Sequence, residues 1–111
     1  MEIQRQPLEI HYMPRFSKNL NEIARFIGRN SVTSAERLLD RIHERIELLA
    51  EHPYIGRAAM EPVLAQRGIR IIGESKYIIY YLVEGEEVII YHIRHSARQS
   101  AALCDLFDEN D

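Results

Sequence analysis

Four side chains that can carry positive charge come close together at the end of the most apolar stretch of the chain, residues 77–98. They are His92, Arg94, His95 and Arg98, and they follow two apolar runs that are joined by a short charged turn. Arginine and protonated histidine bind carboxylates and phosphates through charge-assisted hydrogen bonds. A buried hairpin that delivers these groups to one end would therefore present a site for an anionic or acidic partner.

Side-chain alternation along the last strand predicts which of these groups share a face. The face that we expect beneath the helices is wholly apolar: Ile89, Tyr91 and Ile93. The opposite, open face carries His92 and Arg94. We expect Arg70 on the open face as well, because Ile69 and Ile71 in its own strand are expected to face the helices.

The chemistry open to these groups is limited. Histidine exchanges protons near neutral pH, so His95 could act as a general acid or base, but the sequence places no carboxylate or nucleophile beside it. His92 and His95 lie three apart on a strand and point to opposite faces, which rules them out as a metal pair. The sequence also has no glycine-rich phosphate loop, no G-x-S-x-G elbow and no metal-ligand spacing. A self-contained hydrolase is not supported, and no metal or cofactor is expected.

A structural role is the alternative for each cation, because exposed arginines are often only solvated or paired with a nearby acid. This alternative stays open for Arg57 and Arg94. A functional role is favoured for Arg70 and Arg98, since these two cations are distant in sequence and are expected to converge on one edge.

Composition indicates one globular domain spanning residues 1–111, with a polar N-terminal extension at 1–7. Apolar residues make up 46% of the chain and charged residues 28%, which argues against disorder. Residues 1–98 carry 14 Lys and Arg against 13 acids, whereas residues 99–111 carry four acids and no Lys or Arg. Acidity therefore belongs to the tail, and a near-neutral folded part argues against general nucleic-acid binding. With no signal peptide, no membrane-length apolar run and only Cys104, a cytoplasmic protein is expected.

Apolar periodicity predicts an α+β fold. An antiparallel helix hairpin is expected to pack on one face of a small, mostly antiparallel four-stranded sheet. The N-terminal cap of the second helix is left open between Asn30 and Thr33, the latter with Glu36 as a capping box. The predicted elements are a strand at 8–12, helices at 16–28 and 35–50, an irregular segment at 54–66, strands at 67–73, 77–83 and 87–94, and a short helix at 99–107.

An ordered set of short phrases resembles the ParE/RelE superfamily of toxins from bacterial type II toxin–antitoxin (plasmid stabilisation) systems, over about residues 8–99. The phrases are the N-terminal strand, the helix pair with Asn30 at its break, LAEHPYIGR at 49–57, GIR at 68–70, YIIYYLV at 77–83, VII at 88–90 and HSAR at 95–98. No single phrase is specific, but their order is.

This resemblance implies one of two activities. RelE-like members are ribosome-dependent mRNA endonucleases that use several basic side chains with a C-terminal tyrosine or similar group, whereas ParE-like members inhibit DNA gyrase. The candidate nuclease residues here are Arg70, His95 and Arg98. Ile78 stands where the nucleases have a basic residue, Arg70 alone remains of their basic strand, and no tyrosine follows Arg98. The resemblance therefore favours gyrase inhibition without catalysis, with ribosome-dependent mRNA cleavage as the alternative.

The resemblance also implies partners: a cognate antitoxin together with DNA gyrase, or the ribosome and mRNA in the alternative, with no membrane and no cofactor. The antitoxin's C-terminal segment is expected to lie over the helix hairpin or the sheet. The acidic tail is expected to be solvated, and the alternative hypothesis is that residues 105–111 screen part of the cationic edge. The candidate partner-binding residues are Arg57, Arg70, His92, Arg94, His95 and Arg98.

Overall fold

The computed structural model describes residues 6–97, which form five strands and three helices. Two long helices pack on a five-stranded sheet of order β1-β5-β4-β3-β2, in which only β1 and β5 run parallel. The α+β prediction is confirmed. The elements are β1 Glu9–Tyr12, α1 Pro14–Gly28, α2 Val32–Glu51, β2 Arg57–Ala58, α3 Pro62–Gln66, β3 Arg70–Glu74, β4 Tyr77–Glu84 and β5 Glu87–His95.

Several predictions about the chain ends lie outside the described residues. These are the helix at 99–107, the acidic tail, Arg98, and residues 1–5 of the N-terminal extension. Within residues 6–97, no helix is long and apolar enough to cross a membrane.

The helix hairpin forms because each of its helices carries one apolar stripe. α1 begins with Pro14, whose fixed φ suits the first helical position and whose missing N–H removes no intrahelical bond. The buried residues of α1 and α2 recur at helical spacing and face the sheet, which removes their apolar surface from water. They are Phe16 and Leu20 in α1, and Ala35, Leu38, Ile42, Ile46 and Leu49 in α2.

A β-bulge interrupts the pairing of β4 with β5. Tyr80 lies opposite His92, but the next residue, Tyr81, lies opposite Ile90, so Tyr91 is an extra residue in β5. An extra residue exchanges the faces of all the side chains that follow it. Ile90 and Ile93 consequently both lie in the core beneath the helices, although they are three positions apart.

The sheet has a second, smaller core on the face away from the long helices. The short helix α3 lies there, and its Leu64 is fully buried together with Tyr80 of β4. The buried members of this core are Ala59, Leu64, Ile69, Ile71 and Tyr80. The prediction of an irregular segment at 54–66 was therefore wrong, because this segment supplies β2 and α3 and makes the sheet five-stranded.

This second core corrects the predicted orientation of several side chains. Ile69 and Ile71 face α3 rather than the long helices, so Arg70 lies on the long-helix side of the sheet with Ile72 and not on the open face. The expected apolar face of the last strand was also wrong in part. Val88 and Ile90 lie under the helices with Ile93, whereas Tyr91 packs on the opposite side.

Ser31 is the N-terminal cap of α2, so both predicted caps, Asn30 and Thr33, were wrong. Its hydroxyl accepts a hydrogen bond from the Ser34 N–H at 3.1 Å. Gly28 is the last residue of α1, and the residue that caps this helix, Arg29, has a right-handed φ of −59°, so α1 ends without a glycine in the left-handed conformation.

Replacing Ser31 by alanine should therefore lower the free energy of unfolding by about 1 kcal/mol, because the first turn of α2 loses its side-chain acceptor. Ser34→Ala is the matched control, since Ser34 supplies only its backbone N–H to this cap. Urea unfolding followed by circular dichroism measures both variants. Equal stability of Ser31→Ala and the parent chain would contradict the assignment of the cap.

Candidate functional site

The six candidate cations do not form one cluster. Arg57 in β2 is exposed, and Arg70 is fixed on the long-helix side of the sheet. His92 and Arg94 are buried on the opposite side, with exposures of 8% and 9%. His95 lies at the end of β5 with partial exposure, and Arg98 lies outside the described residues.

Arg70 holds the chain between α2 and β2. Its Nη2 donates to the carbonyls of Tyr54 at 3.2 Å and Gly56 at 2.6 Å, and its guanidinium lies 5.2 Å from the centre of the Tyr54 ring. A guanidinium bound in this way by backbone carbonyls has fewer donors left for a phosphate. The structure therefore gives Arg70 a role in shaping the loop.

Tyr81 lies in the main core and also binds the loop between α2 and β2. Its hydroxyl donates to the Pro53 carbonyl at 2.8 Å and accepts from the Gly56 N–H at 3.2 Å. Gly56 fits here because it lacks a side chain. A Cβ at this position would lie 2.5 Å from the Tyr81 hydroxyl and would also overlap the carbonyl oxygen of Ile71.

Arg94 is the centre of a buried polar group rather than a surface cation. Its Nε donates to the Tyr80 hydroxyl at 3.0 Å, and its Nη1 donates to the carbonyls of His95 at 3.1 Å and Ser96 at 3.3 Å. Its Nη2 lies 3.9 Å from Glu61 Oε2, which accepts the Tyr80 hydroxyl proton at 2.8 Å. Arg94 is on the side away from the long helices, as predicted, but the prediction of an open face there was wrong because α3 and this polar group cover it.

Burial controls the ionisation of this region. Burial raises the pKa of Tyr80 to about 12; the hydrogen bond from Arg94 opposes this shift and the one to Glu61 adds to it. Burial and the positive charges of Arg15 and Arg94 lower the pKa of His92 to about 4. His92 is therefore neutral at physiological pH, and it cannot supply the positive charge that the sequence suggested.

His95 is positioned by local contacts. Its Nδ1 accepts the backbone N–H of Ala97 at 3.0 Å, and its ring packs edge-on against Tyr77 at 5.4 Å between ring centres. The opposite nitrogen, Nε2, is the atom of this ring that remains for a partner.

Sequence reasoning missed two features. The Tyr80 hydroxyl and Glu61 were not predicted as site groups, although a tyrosine in a buried strand usually needs a hydrogen-bond partner for its hydroxyl. The other feature is a surface around Arg57 where large apolar side chains are exposed next to the edge strand. We call it the β2-edge surface, and it consists of Tyr54, Ile55, Arg57, Met60 and Val63.

No group of three or more potential metal-ligating side chains occurs within residues 6–97. On the β2-edge surface Arg57 lies beside the exposed Met60, and exposed arginine, methionine and aromatic side chains are common where proteins recognise one another.

The family model for the ParE toxin of the type II toxin–antitoxin system parDE matches residues 10–100. The chain belongs to this family. Toxin RelE3 of Caulobacter vibrioides is 31% identical over 84 residues, which cover 75% of this chain and 88% of that protein. The resemblance to the ParE/RelE superfamily is thereby confirmed, and the ParE and RelE names both occur among the relatives.

Solved structures share the fold. A chain from the chromosomal ParDE system of P. aeruginosa superposes with a TM-score of 0.64 at 17% identity, covering 79% of this toxin and 95% of that chain. A chain from the RelBE2 toxin–antitoxin complex of Mycobacterium tuberculosis gives a TM-score of 0.61 at 15% identity, with coverages of 81% and 99%.

The close approach at Gly56 predicts that Gly56→Ala destabilises the toxin by about 2–3 kcal/mol, because the new methyl group displaces Tyr81 or β3. Gly28→Ala is the matched control. Its Cβ would meet only the Ala35 Cβ at 3.8 Å, and alanine favours the helix by about 0.5–1 kcal/mol. Thermal unfolding of the two variants should move in opposite directions, and a tolerated Gly56→Ala would contradict the described packing.

The lowered pKa of His92 predicts a dependence of stability on pH. Between about pH 4 and pH 6.5 the unfolded chain binds a proton at His92 that the folded chain excludes, so the free energy of unfolding should rise with pH. The rise that His92 contributes should be about 3 kcal/mol, and it should be missing in His92→Gln. Urea unfolding at successive pH values measures the difference. Identical pH profiles of the two proteins would show that His92 ionises alike in the folded and unfolded chains.

Proposed function

We propose that this toxin acts in the ParE manner, by inhibiting DNA gyrase, and that a cognate antitoxin neutralises it. The observation that supports this proposal is the engagement of the candidate nuclease cations within the fold. Arg70 is bound by the Tyr54 and Gly56 carbonyls, and His95 Nδ1 by the Ala97 N–H.

Phosphodiester cleavage needs cations at the developing oxyanion together with a proton shuttle within hydrogen-bond reach of the reacting atoms. Arg70 lies on the long-helix side of the sheet, whereas the buried His92 and Arg94 lie on the other. Arg70 and the buried pair of His92 and Arg94 therefore do not converge on one site. An inhibitor of another protein needs only a complementary surface, and this requirement suits the β2-edge surface.

We infer that the β2-edge surface contacts gyrase. Arg57 is exposed, and its Nη2 lies 4.0 Å from the Met60 sulfur. Tyr54 is 65% exposed and Met60 60% exposed, so exposed apolar area lies beside Arg57 at Met60 and beside Arg70 at the Tyr54 ring. Aromatic, methionine and arginine side chains are enriched in protein interfaces.

A gyrase supercoiling assay with the purified toxin tests both parts of this proposal. The parent protein should block supercoiling. Arg57→Glu should need about tenfold more protein for the same effect, because a reversed charge at the centre of an interface costs on the order of 1–2 kcal/mol. Arg37→Glu is the matched control, since it makes the same charge change at an exposed position of α2. Full supercoiling at excess parent toxin would reject gyrase as the target.

Ribosome-dependent mRNA cleavage is the alternative, and similarity to a relative named Toxin RelE3 favours it. Translation of a defined mRNA with the toxin present, followed by mapping of 5′ ends, distinguishes the two functions. Codon-linked cuts that disappear in Arg98→Ala and His95→Ala would establish the nuclease. Intact mRNA together with inhibited supercoiling would establish the ParE mode.

A further inference from the structure

Arg94 joins two parts of the toxin that are otherwise remote in sequence. On one side its guanidinium binds the carbonyls of His95 and Ser96, where β5 ends. On the other side it reaches the Tyr80 hydroxyl and, at 3.9 Å, the carboxylate of Glu61. Glu61 immediately precedes α3, and its side chain makes no capping bond to that helix. The carboxylate is directed instead to Tyr80 and Arg94.

The Tyr80 hydroxyl carries the connection. A hydroxyl has one proton to donate, and here it donates to Glu61 Oε2 at 2.8 Å while a lone pair accepts Arg94 Nε–H at 3.0 Å. This direction is enforced, because a carboxylate only accepts and a guanidinium only donates. The three side chains therefore form a directed chain of bonds, and replacing any one of them changes the position of the next.

We propose that Glu61, Tyr80 and Arg94 form a positioning relay that holds residues 95–97 in the conformation required for growth inhibition. The residues held in this way include His95, one of the candidate target-binding groups. Neither Glu61 nor Tyr80 needs to touch the target, since both act through Arg94. The relay concerns the toxicity of the protein whatever its target, so it does not depend on the gyrase proposal.

The hydrogen bonds that residues 95–97 make with nearby residues do not connect this segment to α3. The Ser96 N–H donates to the Lys76 carbonyl at 2.7 Å, and the Ala97 N–H donates to His95 Nδ1, so both bonds remain within the β4–β5 end of the sheet. Arg94 alone among these contacts extends toward the side of the sheet that α3 covers. With the Tyr80 hydroxyl removed, the attraction between Glu61 and Arg94 would draw the guanidinium toward the carboxylate and away from the His95 and Ser96 carbonyls.

Tyr80→Phe is the decisive variant, because it removes one oxygen and keeps the buried ring. Tyr77→Phe is the matched control: it makes the same change in the same strand, beside His95, at a hydroxyl outside the relay. We expect Tyr80→Phe to accelerate amide hydrogen exchange at Ser96 and Ala97 about tenfold or more, as for loss of a hydrogen bond to a charged group. Growth inhibition from an inducible gene should fall by a similar factor at equal protein level, and Tyr77→Phe should match the parent in both measurements.

Two Glu61 variants separate positioning from general stability. Glu61→Gln keeps an oxygen that can accept the Tyr80 proton, whereas Glu61→Ala removes the acceptor, so toxicity should be retained largely in the first and lost in the second. Circular dichroism should show all variants folded. Unchanged exchange at Ser96 and Ala97 in Tyr80→Phe would overturn the relay, and so would faster exchange with full toxicity. A toxin that inhibits growth through the relay but leaves gyrase untouched would refute only the proposed target.

Discussion

The extra residue in β5 determines which chemistry this toxin can show on its surface. Without the bulge at Tyr91, strict alternation would place Arg94 on the same side as Ile90, under the long helices. A guanidinium there would lie in an apolar core without a hydrogen-bond partner. Burying an unpaired charge in this way would strongly destabilise the fold. The bulge transfers Arg94 to the Tyr80 side and allows Ile93 to fill the main core instead.

Two neighbouring tyrosines of β4, Tyr80 and Tyr81, form hydrogen bonds to the chain on either side of β2. Tyr81 points toward the long helices and fixes the start of the segment through Pro53 and Gly56. Tyr80 points to the other side and fixes its end through Glu61. These three hydrogen bonds involve two fully buried rings, so the segment from Pro53 to Glu61, which contains β2, is held against the sheet at both ends. A surface built on this segment is correspondingly preorganised, which lowers the entropic cost of binding a partner.

The helices and the meander could be predicted from sequence because their apolar spacing is unambiguous, as in the stripe from Leu38 to Leu49. Orientation within the last strand could not, since residues 88–91 are all apolar and alternation has nothing to distinguish there. Arg70 was assigned to the wrong side for a related reason. The argument required one buried face, and a five-residue helix that begins with Pro62 gave no periodic signal of a second core.

A cation whose hydrogen bonds are made within the fold has fewer donors available to bind a phosphate. Three cation candidates, Arg70, His92 and Arg94, are either bound by carbonyls and a carboxylate or kept neutral by burial. A nuclease has to keep such groups accessible, because they stabilise charge that appears only at the scissile bond. A toxin that recognises a folded protein has no such requirement, and it gains from preorganised loops and exposed apolar groups. Arg70 and Arg94 therefore contribute to the architecture of the fold rather than to an exposed cationic site.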